Sequence, residues 1–184
     1  EDYLVFYNFD IRAYYRKNAE GALAAFAAAF KDEERCKLVL KVNGARECRS
    51  RLDRLLDAAG RLGIAGRIVV VAEYLSQIDL YSLTNACDVY LSLHRGEGFG
   101  LGIAEAMQLA KPVVVTAYSA PLEFCTNDTA MLVPYNLVPM EGNALADRMG
   151  MCADADVNAA AKALVRLYGD RQFAAELGAR AKRS

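Results

Sequence analysis

Apolar residues along the chain fall into short continuous runs, separated by stretches in which they recur at helical spacing. The runs at 3–9 (YLVFYNF), 38–42 (LVLKV), 67–72 (RIVVVA), 88–93 (DVYLSL) and 112–116 (PVVVT) are β-branched or aromatic and predict strands, and 130–133 predicts a sixth. Residues 18–30, 46–59, 77–86, 103–109, 157–168 and 171–182 carry the helical pattern. Asn18 is placed to cap the first of these helices. Leu52, Leu55 and Leu56 share one face of the second, and Gly60 and Gly63 punctuate its end. The unbroken apolar run at 67–72 predicts a strand buried on both faces. Residues 134–156 hold Pro134, Pro139 and Gly142 with little periodicity and predict a long loop. Strands alternating with helices predict an α/β fold with a doubly wound parallel sheet and right-handed crossovers. Ligands of such sheets sit outside the carboxyl ends of the strands, near the point where strand order reverses.

Composition adds bounds rather than detail. A chain of 184 residues suits one domain with a sizeable core, and 54% apolar with 24% charged residues predicts a globular chain. A net charge of −1 argues against a nucleic-acid partner, while leaving room for a local basic site that takes one phosphate ligand. Cys36, Cys48, Cys87, Cys125 and Cys152 form no CxxC pair, and His94 is the sole histidine, so no metal site is expected. Scattered unpaired cysteines predict reduced thiols and a cytoplasmic setting. No run is long enough to span a membrane, and no signal peptide is visible. The chain passes from Glu1-Asp2 almost directly into an apolar strand without an initial Met, which predicts a piece of a longer polypeptide.

Candidate chemistry concentrates in His94-Arg95-Gly96-Glu97-Gly98-Phe99-Gly100-Leu101-Gly102-Ile103-Ala104-Glu105-Ala106-Met107, between a predicted strand and a predicted helix. Gly96, Gly98, Gly100 and Gly102 are four glycines within seven residues, which permits positive φ and close approach of a ligand to the backbone. The N-terminus of the next helix suits a phosphate. Neither a dinucleotide fingerprint nor a Walker loop fits the spacing. What stands out is a pair of carboxylates, Glu97 in the turn and Glu105 one turn into the helix; carboxylates accept hydrogen bonds from the paired hydroxyls of ribose or a sugar.

Glu97-Gly98-Phe99-Gly100-Leu101, then Glu105-Ala106-Met107 and Lys111-Pro112-Val113-Val114, resembles the glutamate-x7-glutamate signature of the family 4 (group 1) retaining glycosyltransferases. Leu132-Val133-Pro134, Arg16-Lys17-Asn18, Leu80-Tyr81 and Cys87-Asp88-Val89-Tyr90 resemble further stretches of that family, so the likeness runs along nearly the whole chain. The resemblance implies a Rossmann-like sheet that forms one half of a GT-B fold. The chain would be the C-terminal, donor-binding domain, with the N-terminal acceptor domain outside it. It implies transfer of a glycosyl group with retention, without a bound metal or other cofactor, from a GDP- or UDP-sugar used as substrate.

Roles are implied by position. Glu105 would hold the ribose and Glu97 would face the transferred sugar at the catalytic centre. Backbone around Gly98, Phe99, Gly100 and Leu101 would meet sugar and diphosphate, and Lys17 with Arg16 would neutralise the leaving diphosphate. The loop Glu73-Tyr74-Leu75 would meet the nucleobase through its main chain, and His94, next to the motif, is a further candidate for ligand contact.

The chain departs from the family pattern in three places. The loop before Lys17 is long, which leaves Arg12 and Arg16 as competing phosphate ligands. Gly102 stands where proline is common, and Ala120-Pro121 replaces a glycine-containing turn. The segments 135–139 and 16–18 resemble bacterial mannosyl-type members, which inclines the donor toward GDP-mannose without excluding UDP or ADP. A glycan or lipid-linked acceptor is the family expectation, and it allows peripheral membrane association of the full-length protein. Two other readings stand beside this one: a nucleotide-binding or regulatory module without transferase activity, and a sugar-phosphate isomerase or epimerase. The latter needs acid–base groups for which His94 is the sole histidine.

Overall fold

The computed structural model describes residues 2–140 and 150–184. Six strands, β1 (Tyr3–Asp10), β2 (Cys36–Asn43), β3 (Ile68–Val71), β4 (Val89–Ser92), β5 (Val113–Thr116) and β6 (Met131–Val133), form one parallel sheet in the order β3-β2-β1-β4-β5-β6. This is the doubly wound α/β sheet that the alternating pattern predicts. Strand order runs outward from β1 to β3, then returns to place β4 beside β1, so the reversal lies between β1 and β4. Seven helices accompany the sheet among the described residues: α1 (Tyr14–Lys17), α2 (Ala19–Ala29), α3 (Arg49–Arg61), α4 (Gln77–Ala86), α5 (Leu101–Gln108), α6 (Val157–Gly169) and α7 (Arg171–Ala181).

The central strands β4 and β5 bury every side chain and β1 five of its eight, as both-face coverage by helices requires. The third strand departs from its predicted burial. β3 is an edge strand, its side chains are only partly covered, and Val69 is 45% exposed. An apolar run reports hydrophobicity, not whether a strand has neighbours on both sides. The aromatic start of the chain is core: Tyr3 packs edge-on to Phe30 and Tyr168, and Phe6 to Tyr90. All five cysteines are free thiols. Among the described residues no helix is long and apolar enough to cross a membrane.

A second correction concerns residues 134–156, which are not simply a loop. Tyr135–Pro139 (β7) and Met151–Ala155 (β8) pair antiparallel as a two-stranded ribbon. The ribbon is anchored to the sheet, with Ala153 N–H donating to the Arg95 carbonyl at 3.0 Å and the Tyr118 and Tyr135 rings 5.0 Å apart. Its short, half-exposed strands carry too few alternating positions to show a period of two. The prediction at Gly142 lies outside the described residues.

The junction of α1 and α2 sets the position of Lys17. A 3₁₀ turn (Ile11–Ala13) and α1 fill the loop after β1, and Asn18 adopts a left-handed conformation (φ 51°) that separates α1 from α2. Asn18 caps α2, its Oδ1 accepting from Gly21 N–H at 3.2 Å, while its Nδ2 donates to the Leu93 carbonyl at 2.9 Å. The buried Tyr7 hydroxyl donates to the Lys17 carbonyl. Lys17 is thereby fixed against the ends of β1 and β4. Removing the Asn18 side chain leaves the Leu93 carbonyl short of a partner, a loss of about 1–3 kcal/mol in Asn18→Gly. Asn18→Ala should lose a further 1–2 kcal/mol, roughly, because a Cβ without a local hydrogen bond resists the left-handed region. In thermal unfolding the Ala variant is expected to melt below the Gly variant; equal midpoints would contradict this account of the junction.

Candidate functional site

β4 ends at Ser92, the glycine-rich turn leads away from the sheet, and α5 begins at Leu101. Of the four alternating glycines, only Gly100 has positive φ (90°), and it caps α5 in the left-handed region. Gly102 serves close approach instead. A Cβ there would lie 2.5 Å from the hydroxyl of the buried Tyr90, whose ring is packed on Phe6. Gly96 and Gly98 face open space and leave the backbone of the turn accessible. Ser119, after β5, accepts the Glu97 N–H at 2.9 Å on its Oγ and holds a strained backbone (φ 64°, ψ −158°).

The turn delivers Glu97 to the cations of α1. Its carboxylate is bonded to the Lys17 ammonium and lies 3.0 Å from Arg16 Nη1, which also donates to the Gly96 carbonyl at 3.0 Å. Arg95 N–H donates to the Arg16 carbonyl at 2.8 Å and ties the two segments together. The Glu97 side chain is only 9% exposed. Burial opposes its ionisation, but the hydrogen bond and charge of Lys17, with the charge of Arg16, outweigh that and hold its pKa below the ordinary 4.5. Glu105 lies on α5, one turn on, where Gln77 Nε2 donates to its Oε1 at 2.9 Å and the Tyr81 hydroxyl approaches at 3.5 Å.

These groups line one open cavity of about 760 Å³ at the carboxyl ends of β1, β2 and β4. The structure brings Arg16, Lys17, Glu97, Gly98, Phe99, Gly100, Leu101 and Glu105 together on its wall. Two other candidates lie elsewhere. The Tyr74 side chain is 93% exposed and outside the lining. His94 is wholly buried behind the turn, its Nδ1 3.2 Å from Ser92 Oγ and its Nε2 3.1 Å from the Tyr118 carbonyl; burial lowers its pKa, so it is neutral at pH 7. Arg12 is clasped by Asp10, with Nε 2.9 Å from Oδ1, and does not line this cavity, leaving Arg16 as the arginine at Glu97. Asn8, Asn43, Gln77 and Ser119 join the site or its support without having been singled out in the sequence. Asn8 and Asn43 are polar residues near the carboxyl ends of two strands, where a doubly wound sheet places its ligands, which is the signal that could have found them. Among the described residues no group of three or more His, Cys, Asp or Glu is placed to hold a metal ion.

Glu97 supplies a pH test. Its folded pKa is depressed, so its contribution to stability is full above the unfolded value and is lost as pH falls through the folded value. Glu97→Gln should destabilise the chain by about 1–3 kcal/mol near pH 7. The gap between the two melting curves should close below the ordinary carboxylate range. His94 also titrates in acid, and because the Glu97 charge raises its pKa the two groups are coupled, so the gap reports the pair until Glu97 is protonated. A gap that stays constant down to acid pH would contradict the ion pairs as its source.

A family model described as glycosyl transferases, group 1, matches residues 5–170. Comparison with curated proteins gives no sequence match. Many solved structures share the fold. Anabaena Alr3699/HepE, solved in complex with UDP-glucose, superposes with a TM-score of 0.78 at 18% identity over 100% of this chain and 43% of its own. The sucrose-phosphate synthase of Thermosynechococcus elongatus gives 0.76 at 23% identity over 100% of this chain and 40% of its own. The C-terminal domain of a group 1 family glycosyl transferase, LpcC of Francisella tularensis, gives 0.75 at 17% identity over 98% of this chain and 83% of that domain structure. The chain thus spans under half the length of the first two.

Proposed function

We propose, for a chain that belongs to the group 1 glycosyltransferases, that its cavity binds the donor of the transfer, a sugar carried on a nucleoside diphosphate. The observation that carries this reading is the set of groups on one wall: two cations, a shielded carboxylate and a second carboxylate on the adjoining helix. A diphosphate needs cations and N–H donors, which Lys17, Arg16 and the start of α5 offer. A ribose needs an acceptor for its two hydroxyls, and Glu105, already accepting from Gln77, is the acceptor along the wall. The fold is the Rossmann-like α/β sheet of GT-B glycosyltransferases, and HepE and the Escherichia coli trehalose-6-phosphate protein, which share it, were solved with UDP-glucose and UDP-2-fluoro glucose.

In this mechanism the donor diphosphate displaces Glu97 from Lys17 and Arg16. The two cations then neutralise the charge that grows on the leaving diphosphate, the step in which fixed electrostatics contribute most. Glu97, released, faces the transferred sugar and stabilises the positive charge developing at its anomeric carbon, with retention of configuration. Tyr74 meets the nucleobase through the main chain of its loop, since its side chain points to solvent. Lys17 and Arg16 supply the positive charge that a divalent ion provides elsewhere, so binding requires no metal. GDP-mannose and UDP-glucose are the donors to compare, the first from the mannosyl-type segments and the second from the structural neighbours. The acceptor, a glycan or lipid-linked saccharide of surface-polysaccharide synthesis, belongs to a second domain outside this chain, at the cytoplasmic face of a membrane.

Calorimetric titration of UDP and GDP, with and without magnesium, tests the assignment. One of them should bind independently of magnesium, and Glu105→Ala and Lys17→Ala should each weaken it by about 10-fold or more, the worth of a hydrogen bond to a charged group. Unchanged affinity in both variants would remove the donor assignment. The chain alone should form no glycoside from either donor and a sugar acceptor, because completing the site requires the second domain; detection of product by mass spectrometry would overturn that expectation.

A further inference from the structure

On the other side of α1 lies a second cavity, about 730 Å³, which shares Arg16 and Gly96 with the first. Among the described residues its wall holds Arg12, Arg51, Arg54 and Arg95 together with Tyr14 and Tyr15, and one carboxylate, Glu20. Several of these cations are already partnered: Arg12 with Asp10, Arg54 Nε with Glu20 at 3.1 Å, Arg95 Nη2 with Asp154 at 3.0 Å and Arg16 with Glu97. Arg51 has no carboxylate partner among the described residues. Its Nη1 donates to the carbonyls of Ile11 (3.2 Å) and Arg12 (2.7 Å), which leaves the rest of the guanidinium fork open. Arg95 is held over the Tyr15 ring at 4.5 Å, and its buried Nε has no hydrogen-bond partner. Among the described residues the cavity gathers five guanidinium groups, and Arg51, the one without a carboxylate partner, is placed to take an anion.

We infer that this second cavity binds a phosphate-bearing ligand, the phosphate of a phosphorylated saccharide held beside the donor. Guanidinium forks match the oxygens of phosphate in paired hydrogen bonds. The volume far exceeds that of a lone phosphate and falls in the range of small-molecule sites. Tyr14 and Tyr15 form part of the wall and hold two of the arginines in place, Arg54 5.7 Å from the Tyr14 ring and Arg95 4.5 Å from the Tyr15 ring. The site is separate from the diphosphate place beside Lys17, because Lys17, Glu97 and Glu105 do not line it and Arg51, Arg54 and Arg95 do not line the first cavity.

Calorimetric titrations of inorganic phosphate and of a hexose 6-phosphate into the 184-residue chain decide it, run beside UDP and GDP titrations on the same proteins. The hexose phosphate should bind, should keep its affinity in Lys17→Ala, and should weaken by about 10-fold in Arg51→Gln, the loss of one charge-assisted hydrogen bond. Nucleotide affinity should be unchanged in Arg51→Gln. Because Arg51 also braces the loop after β1, the exposed Arg54→Gln provides an independent variant expected to fold as the parent does and to weaken the same ligand. Tighter binding of the hexose phosphate than of inorganic phosphate identifies a sugar phosphate as the ligand, and equal affinities identify the free anion. No saturable binding of either probe, unchanged affinity in both arginine variants, or loss in Lys17→Ala instead would overturn the inference. Failure of the donor reading shows separately, as absent nucleotide binding with phosphate binding intact.

Discussion

The bond between Lys17 and Glu97 joins the two halves of the sheet at the place where strand order reverses. Lys17 comes from the segment after β1 and Glu97 from the turn after β4, and β1 and β4 are neighbours. In a doubly wound sheet the segments leaving the two strands at this point diverge to opposite sides, so a crevice opens between them. Here the crevice is bridged by a nearly buried carboxylate against two cations. A buried ion pair is weak evidence of stabilisation, because desolvation offsets much of the attraction. Its placement at a crevice is better understood as storage of charge where a ligand's charge will arrive.

Much of the surrounding structure serves to hold these groups in register. Asn18 and Tyr7 fix the peptide of Lys17 from one side. Ser119 holds the Glu97 N–H from the other, in a backbone conformation that serine rarely adopts. Gly100 turns the chain into α5, and Gly102 lets α5 settle on the Tyr90 hydroxyl. The β7–β8 ribbon braces the turn from behind through Arg95, whose carbonyl accepts from Ala153 and whose guanidinium meets Asp154. Arg95 therefore faces the ribbon and the second cavity while its neighbour Gly96 lines both cavities.

The strands were legible in the sequence because each is a short apolar run that can be recognised locally; the strands and most helices lie within a few residues of the predicted spans. Glu97, Glu105 and the glycine turn were legible for a different reason, since glycines at fixed offsets between a strand and a helix restrict the geometry locally. What was not legible depended on position in three dimensions. The edge location of β3 is set by strand order, which no local pattern encodes. The ribbon at Tyr135–Pro139 and Met151–Ala155 pairs residues far apart in sequence. The choice between Arg12 and Arg16 turned on Asp10, which captures Arg12 two residues away, while His94 is kept off the cavity wall by burial and the Tyr74 side chain by its exposure to solvent. Ser119 carries no local mark of its role, because its partner lies 22 residues earlier.

The most direct measurement is a crystal structure of the chain with a bound nucleoside diphosphate. The diphosphate should lie between Lys17, Arg16 and the start of α5, with the ribose on Glu105 and the Glu97 carboxylate free of Lys17. A nucleotide bound elsewhere, with the Lys17–Glu97 bond intact and Glu105 still paired only with Gln77 and Tyr81, would contradict it.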